Sequence, residues 1–407
     1  MKLKFLRERR RYYAFVEAVS SAIEGNNYSR AGLVLDCVDA ELFSAKQHSE
    51  KRELVFIRVA TTPTVFSQRF GLPGVPKEGD WLVIETDARA QGPLAWVLSA
   101  ADDYQGPAEV TRLASVAPLP RDGHERRLSE SNGFLLGELA YDADVLAAFC
   151  VCTPSADSNA AEDRFTLTNL SDLHVRVVDV GQASCNALHK ERRADAPVFA
   201  FFDVGAPVFW NRKSLLNRKR LRKTQIDSGC IVILSHWDFD HYALAFRELA
   251  SLRDHRWFAP EQPVGPNAVA FQRSLGDRLG FVKGQTIGLS GNAILHKGQG
   301  PEHDRNGSGY VLRLDRRVAP VVLTGDVSYG FIPPAAFVGA AAVTVPHHAG
   351  PDTALPPSGG GRAVASYGLP NCYRHPCNDV IASHDIAPWA LETTAERHGV
   401  PRGDRWL

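Results

Sequence analysis

Apolar runs rich in β-branched and aromatic residues recur along the chain, separated by turns rich in Gly, Pro and Asp. Runs of this length and composition predict short β-strands. In the first part of the chain they fall at residues 33–42, 53–60, 80–86 and 94–100. We therefore expect residues 1–155 to form a small α+β or β-barrel-like domain, with an OB-like barrel as one option.

Two other segments of this part have helix-like patterns. Apolar residues near the start recur every three or four positions, which predicts an amphipathic helix. They are Tyr12, Phe15, Val16, Val19 and Ile23. A second helix is expected at residues 134–150. The polar run at 152–164 has no periodicity, so we expect a linker at 156–168.

The second part, residues 169–407, alternates strand-like runs with helix-like stretches. The strands are expected at 173–181, 198–205, 230–236, 309–314, 320–326, 341–348 and 363–368, and the helices at 241–252 and 268–280. Buried strands layered with helices predict an α/β sandwich. Several strands end in His or Asp, so a site is expected at the strand ends.

The densest cluster is SHWDFDH at residues 235–241, directly after an apolar strand. Imidazole and carboxylate ligands together favour divalent metals such as zinc or manganese. The alternative is a polar loop in which Asp240 caps a helix. Two later strand ends, TGD and VPHH, add further candidates. The predicted ligands of one or two ions are His236, Asp238, Asp240, His241, Asp326, His347 and His348.

The order of these motifs resembles the metallo-β-lactamase fold, and within it the hydrolase domain of ComEC-type competence proteins. The matching segments are VVDVGQA (177–183), FFDVG (201–205), ILSHWDFDH (233–241), NGSGYVLRL (306–314), VVLTGD (321–326), VPHHAG (345–350) and NCYRHP (371–376). They span about residues 170–380. The resemblance implies an αββα sandwich and a metal-dependent hydrolase, most specifically a nuclease or phosphodiesterase acting on DNA.

The resemblance also implies roles for single residues. His236 and Asp238 would serve a first metal, Asp240 and His241 a second, and Asp326 would bridge the two. One of His347 and His348 would bind the second metal and the other the scissile phosphate, an assignment that stays open. Supporting positions around the ligands are expected for Asp179, Asp203, Asn306 and Ser308. For Asp179 and Asp203 the alternative is a carboxylate that caps a turn.

Three departures from the superfamily pattern bear on the first metal. Asp238 stands where the second histidine of HxHxDH is usual, and Asn306 and Ser308 lie in the region of another usual histidine. The glycines that commonly follow the DH pair are replaced by YALA at 242–245. The second metal site is therefore better supported than the first, and occupancy by a single ion is an option.

Three residues have expected roles near the chemistry. Asp238 could accept a proton from the attacking water if it is not a firm ligand. His375 could protonate the leaving oxygen, with a histidine in a surface turn before Pro376 as the alternative. Trp237 is expected to form a lid or wall of the site.

Lys+Arg and Asp+Glu both number 46, so the net charge is zero. Residues 1–165 hold 19 and 24 of them, leaving 27 and 22 for the remainder, or −5 against +5. Residues 211–224 carry seven cations: Arg212, Lys213, Arg218, Lys219, Arg220, Arg222 and Lys223. If this segment is helical, Leu215, Leu216 and Leu221 would dock it. The cations would then bind nucleic acid, most specifically DNA, or form a solvated basic face.

The remaining features bear on compartment and partners. There is no uninterrupted apolar run of the roughly 18 residues that a membrane helix needs. The seven cysteines are scattered and odd in number, which favours reduced thiols and a cytoplasmic protein without membrane contact. The N-terminal domain is expected to recognise substrate or a protein partner, and a role in bacterial defence is an option. Alternatives are hydrolysis of a small phosphodiester or ester, and a non-catalytic binding protein with a degenerate site.

Overall fold

A computed structural model of the chain describes residues 4–5, 8–20, 31–41, 43, 54–106, 108–119, 173–351, 355–371 and 373–407. The chain divides into two compact units, Met1–Thr153 with Pro263–Ser274, and Pro154–Gln262 with Leu275–Leu407. The helix expected at 134–150 and the linker expected at 156–168 lie outside the described residues.

The first unit is built on a closed β-barrel. Its elements are β1 (Lys4–Phe5), β2 (Arg10–Ser20), β3 (Ala31–Asp39), β4 (Leu54–Thr61), α1 (Pro63–Phe70), β5 (Trp81–Thr86), β6 (Leu94–Ser99) and β7 (Glu109–Pro118). The strands pair in the order β1-β7-β5-β2-β3-β4-β6, and β6 also pairs with β7, which closes a ring of six strands within the described residues. The four strands predicted in this part and the barrel are confirmed. OB folds have five strands, so the OB-like assignment stays a prediction.

The helix predicted at the start of the chain is wrong, because residues 10–20 form strand β2. Tyr12 and Val16 fill the barrel core together with Ala14, while Tyr13 and Phe15 on the other face are also buried. A strand buried on both faces loses the alternation of apolar and polar residues. Its apolar residues then also match helical spacing, although its aromatic and β-branched composition favours a strand.

Two helices follow in the second half of the sequence. Helix α2 is short and spans Arg218–Leu221, and helix α3 spans Pro266–Leu275. Most of α3 belongs to the barrel unit, although the sequence placed it in the second domain. Buried Asp36 accepts hydrogen bonds from the Asn267 main-chain N–H at 2.8 Å and from its side-chain amide. Tyr104 donates to Asn267 Oδ1. These buried polar groups satisfy one another, which fixes the helix on the barrel.

The second unit contains two seven-stranded sheets. The strands of the first are β8 (His174–Val177), β9 (Cys185–His189), β10 (Val198–Val204), β11 (Ile226–Ile233), β12 (Arg256–Pro260), β13 (Leu279–Val282) and β21 (Arg405–Trp406). Those of the second are β14 (Thr286–Ser290), β15 (Ala293–Lys297), β16 (Tyr310–Leu314), β17 (Val321–Leu323), β18 (Ala342–Thr344), β19 (Gly361–Ala365) and β20 (Trp389–Thr393). All seven strands predicted in this part are confirmed. Within the described residues the orders are β13-β12-β11-β10-β9-β8-β21 and β14-β15-β16-β17-β18-β19-β20.

The two sheets share one hydrophobic core. Phe202 and Ile233 of the first sheet and Leu312 and Leu323 of the second are buried in the same cluster. On its other face the second sheet is covered by α4 (Asn378–Ile386) and by short 3₁₀ turns, through residues such as Val380. The unit is therefore a mixed α/β sandwich that consists mostly of strands.

The single helix predicted at 241–252 is wrong. Short 3₁₀ turns at Phe239–His241, Ala243–Phe246 and Ala250–Asp254 take its place. Residues 242–245 are all buried, so the apolar pattern reflects an enclosed segment rather than one face of a helix. Arg247, at φ −132° and ψ −104°, also departs from helical geometry.

The structure bears in part on two expectations, the absence of a membrane helix and the reduced state of the cysteines. Of the described helices, none is both long and apolar enough to span a membrane. Cys37, Cys185, Cys230 and Cys377 are free thiols, while the three other cysteines lie outside the described residues. The cytoplasmic location stays a prediction.

Candidate metal centre

The predicted ligands lie at the ends of neighbouring parallel strands. In the first sheet β10 and β11 run parallel, and the loop with His236 and His241 follows β11. In the second sheet β17, β18 and β19 run parallel, with Asp326 after β17 and His348 after β18. Because parallel strands end at the same edge of a sheet, ligands that are far apart in sequence come together there.

In the described part of the chain, two groups of side chains are close enough to hold a metal ion. One consists of His236, His241 and Asp326, all buried, and the other of Asp240, His241 and His348. In each group the three ligand atoms lie within 4.8 Å of one another. His241 belongs to both groups, so the two form one continuous cluster.

The histidines of this cluster fit a cation. The Nε2 atoms of His236, His241 and His348 are buried and make no hydrogen bond to any described residue. His241 Nε2 lies 3.3 Å from Asp326 Oδ2, and His348 Nε2 lies 3.8 Å from carboxylate oxygens of both Asp240 and Asp326. A buried polar atom without a hydrogen bond is costly, whereas a lone pair aimed at a cation is satisfied by it.

The other ring nitrogen of each histidine sets its tautomer. His241 Nδ1 donates to Asp203 Oδ2 at 2.9 Å, and His348 Nδ1 donates to the Ser366 carbonyl at 2.9 Å. Ser235 Oγ donates to Asp203 and therefore accepts from His236 Nδ1, at 2.9 Å. With a proton on each Nδ1, it is the Nε2 atom that faces the cluster and is left to bind a metal, as in metal-binding histidines.

Asp203 is the centre of this support. Its Oδ1 also accepts from the Ser235 main-chain N–H at 2.8 Å, so one carboxylate fixes both the loop and its histidines. Ser235 was missed in the sequence, because a serine between an apolar strand and a histidine carries no signal of its own. Gly325, at φ +54°, is required here, since a Cβ would lie 2.6 Å from that of Ser235.

The electrostatics of the cluster favour a cation. Burial lowers the pKa of His241, but Asp326 and Asp203 outweigh burial and raise it well above its ordinary value. Burial raises the pKa of Asp326, but His241, His348 and His347 hold it well below its ordinary value. A proton on His241 thus supplies positive charge where a metal ion would supply more.

The tandem His347 and His348 differ in position. His348 is 4% exposed and belongs to the ligand cluster, and burial lowers its pKa. The His347 side chain is 40% exposed, and its Nε2 lies 3.9 Å from Asp326 Oδ2 without joining either group. Both have positive φ, 48° and 55°, which is uncommon outside glycine and clusters at functional sites. This backbone turns the two adjacent rings to different places.

Asp238, like His347, is a predicted ligand that joins neither group. Its Oδ1 lies 2.8 Å from the guanidinium of Arg305, and its Oδ2 lies 3.4 Å from His236 Nε2. Burial raises the pKa of Asp238, but Arg305 and then His236 hold it well below its ordinary value. Arg305 was missed in the sequence because arginine is not a metal-ligand residue type and this one belongs to no motif, although it directly precedes the NGS segment.

His375 is buried next to the tandem histidines rather than in a surface turn. Its ring centroid lies 5.4 Å from that of His347, and it stacks on His348. Gln182 Nε2 donates to His375 Nδ1 at 2.9 Å, which leaves the proton of the neutral ring on Nε2. Burial, followed by His347 and His348, lowers the pKa of His375 well below its ordinary value, so the ring is neutral at pH 7.

The other supporting candidates have separate positions. Asp179 binds Arg402, and its main-chain N–H donates to Asp404, so it orders a loop rather than a ligand. Ser308 Oγ accepts from Gln262 Nε2 at 3.1 Å, and Gln262 Oε1 accepts from the Trp237 N–H at 3.3 Å. Asn306 Oδ1 is buried without a hydrogen bond, and no contact joins Asn306 to a ligand among the described residues.

Trp237 is not a lid. Its side chain is 0% exposed, and its indole N–H donates to the Pro260 carbonyl at 2.8 Å. The ring therefore anchors the ligand loop in the protein interior.

The basic segment 211–224 is not one helix. A 3₁₀ turn spans Phe209–Ser214 and α2 spans Arg218–Leu221, with Leu215 and Leu221 buried but Leu216 63% exposed. Arg220 binds Asp404 through two hydrogen bonds, at 2.6 and 2.9 Å. Arg218 and Arg222 lie near the buried Glu248, at 3.9 and 4.0 Å, and Arg212 is half-buried. Lys213, Lys219 and Lys223 are exposed, with no ion pair to the described residues.

No protein-family model and no curated protein matches the chain.

Proposed function

We propose that the protein is a metal-dependent hydrolase that cleaves phosphodiesters, most specifically those of DNA. One observation carries the proposal: three buried histidine Nε2 atoms without hydrogen bonds converge with Asp240 and Asp326 at the strand ends. A bound zinc or manganese ion would lower the pKa of water toward neutrality and offset negative charge on a phosphoryl group.

We also propose that the chain is a metallo-β-lactamase-fold protein of the ComEC type. Two mixed sheets that share a core and carry the ligands at their strand ends support this proposal. So does the order of the motifs, from FFDVG through SHWDFDH and TGD to VPHH. The barrel unit would then recognise substrate or a protein partner.

Within the centre, His348 is the ligand of the tandem and His347 faces the substrate. Burial and the contact with Ser366 fix the first ring, whereas the second is partly exposed next to Asp326. His375, neutral with its proton on Nε2, would donate a hydrogen bond to a phosphate oxygen. Its lowered pKa makes it a weaker candidate for protonating a leaving group. Asp238, engaged by Arg305, is likewise a weaker candidate for a base.

A small phosphodiester is a second candidate substrate. The pairing of Arg220 with Asp404, and the position of Arg218 and Arg222 near Glu248, reduce the basic surface available to a polynucleotide. The exposed lysines of the same segment are what supports DNA.

The test is incubation of the full chain with plasmid, linear and single-stranded DNA, RNA and bis-(p-nitrophenyl) phosphate, each with Zn²⁺ or Mn²⁺. We expect metal-dependent cleavage of DNA. Cleavage of the small ester alone would favour the second candidate.

The control is the Asp240→Ala, His241→Ala double variant, which removes one ligand from the first group and two from the second. We expect it to lose metal and activity together while keeping the far-ultraviolet circular dichroism of the wild type. Activity that survives in this variant would contradict the proposed centre. A wild type that binds no divalent ion would contradict the proposed function.

A further inference from the structure

Arg305 lies where the predicted first metal site would be. Its side chain is 6% exposed, and its guanidinium lies 2.8 Å from Asp238 Oδ1. Asp238 Oδ2 in turn lies 3.4 Å from His236 Nε2. These are the two residues that would bind a first ion, and one of them already has a cation next to it.

A hydrogen bond from Gln262 to the main chain of Arg305 fixes the position of this residue. Gln262 Nε2 donates to the Arg305 carbonyl at 2.8 Å, and Gln262 Oε1 accepts from the N–H of Trp237, the residue before Asp238. The same glutamine therefore holds the main chain of Arg305 and the main chain next to Asp238. Because both main-chain segments are held, the Arg305 guanidinium and the Asp238 carboxylate stay close to each other.

The shared ligand His241 limits the number of ions as well. His241 belongs to both groups of candidate ligands. Its Nδ1 is engaged by Asp203, so only the Nε2 lone pair is left, and one lone pair binds one ion. A second ion would have to use His236, Asp238 and a bridging carboxylate. An ion bound by Asp238 would share that carboxylate with the guanidinium of Arg305, whose positive charge would repel it.

We infer that the guanidinium of Arg305 takes the place of a first metal ion, so that the centre binds a single divalent cation and Arg305 supplies the second positive charge. The inference rests on the proposed metal centre and refines it. Arg305 acts through Asp238, as a positioning residue that sets the ion count.

The test is ion stoichiometry, measured on the full chain by equilibrium dialysis against ZnCl₂ or MnCl₂ followed by mass spectrometry of the metal. The wild type is expected to bind one ion per chain, and Arg305→Met, which keeps the length but removes the charge, two. Arg305→Lys restores a cation and is expected to return the count to one. The double variant Arg305→Met, Asp238→Asn is also expected to bind one, because it lacks a ligand for the added ion.

Two further measurements make the result specific. Arg220→Met removes a different arginine–aspartate pair, that with Asp404, and is expected to leave one ion. With Mn²⁺, the electron paramagnetic resonance spectrum is expected to change from that of an isolated ion in the wild type to that of a spin-coupled pair in Arg305→Met.

Two ions in the wild type would overturn the inference and leave the proposed function standing. One ion in a folded Arg305→Met would also overturn it. If Arg305→Met does not fold, Arg305→Gln takes its place, and the wild-type count still decides. No ion in the wild type would overturn the metal centre itself, and the inference with it.

Discussion

The metal cluster and the basic segment 211–224 are both dense in ionisable residues, yet the fold provides them with different partners. In the cluster, the Nε2 atoms of three histidines are buried without hydrogen bonds and face carboxylates. In the basic segment, Arg220 binds Asp404, and Arg218 and Arg222 lie near Glu248. A dense run of ionisable residues in a sequence therefore identifies only a candidate binding site. The partners that the fold supplies decide whether its side chains are left to bind a ligand or are engaged in ion pairs within the protein.

The largest effect is expected from Asp203→Asn. The substitution keeps the size of the side chain but removes the carboxylate that accepts from His241 Nδ1 and from Ser235. Loss of such a partner weakens metal binding by about 10- to 100-fold. Isothermal titration with Zn²⁺ measures the change.

Asp179→Asn is the matched control. The sequence assigned both aspartates the same supporting role, but Asp179 binds Arg402 rather than a ligand histidine. Its metal affinity is expected to equal that of the wild type. Equal losses in the two variants would show that the hydrogen bond to His241 is not what supports the centre.

The ligands could be predicted from the sequence better than their supports. His236, Asp240 and His241 are close in the sequence, and Asp326 and the His347–His348 pair follow apolar strands, so strand-end logic locates them without deciding between the two histidines. Ser235, Gln262 and Arg305 are common residue types in loops without a motif. Their roles depend on which loops meet in space, and sequence spacing does not determine that.

The fold shows the same division. Strands with apolar runs, such as Val198–Val204 and the buried second half of Ile226–Ile233, were predicted because burial between two layers requires such runs. Strand Arg10–Ser20 and the turns at 239–254 were misassigned, since segments buried on all sides lose the polar positions that set a period. Tertiary packing, not local preference, decided both.

A change of pH is expected to have an effect of intermediate size on the affinity for metal. Because Asp326 and Asp203 raise the pKa of His241, its ring keeps a proton to higher pH than an ordinary histidine, and a metal ion must displace that proton. Affinity for Zn²⁺ is therefore expected to rise by about tenfold per pH unit below that pKa. Titrations in buffers of different ionisation enthalpy measure the protons released, and we expect about one per ion. An affinity that does not change between pH 6 and 7.5 would contradict a protonated His241.

The smallest effect is expected in the basic segment, where it tests whether exposed and paired cations differ. The Lys219→Ala, Lys223→Ala variant is expected to keep its stability and to lower the salt dependence of DNA binding by about two units of log–log slope. Arg220→Gln is expected to leave that slope unchanged. It should lower the free energy of unfolding by about 0.2–1 kcal/mol, because the guanidinium of Arg220 is half exposed and solvent screens the pair. Fluorescence anisotropy across a KCl series and urea denaturation provide the two measurements. The contrary result would be that Arg220→Gln reduces the slope as much per charge as the lysine variant does. The ion pair with Asp404 would then not keep Arg220 from contacting DNA, and the basic segment would bind DNA as one surface.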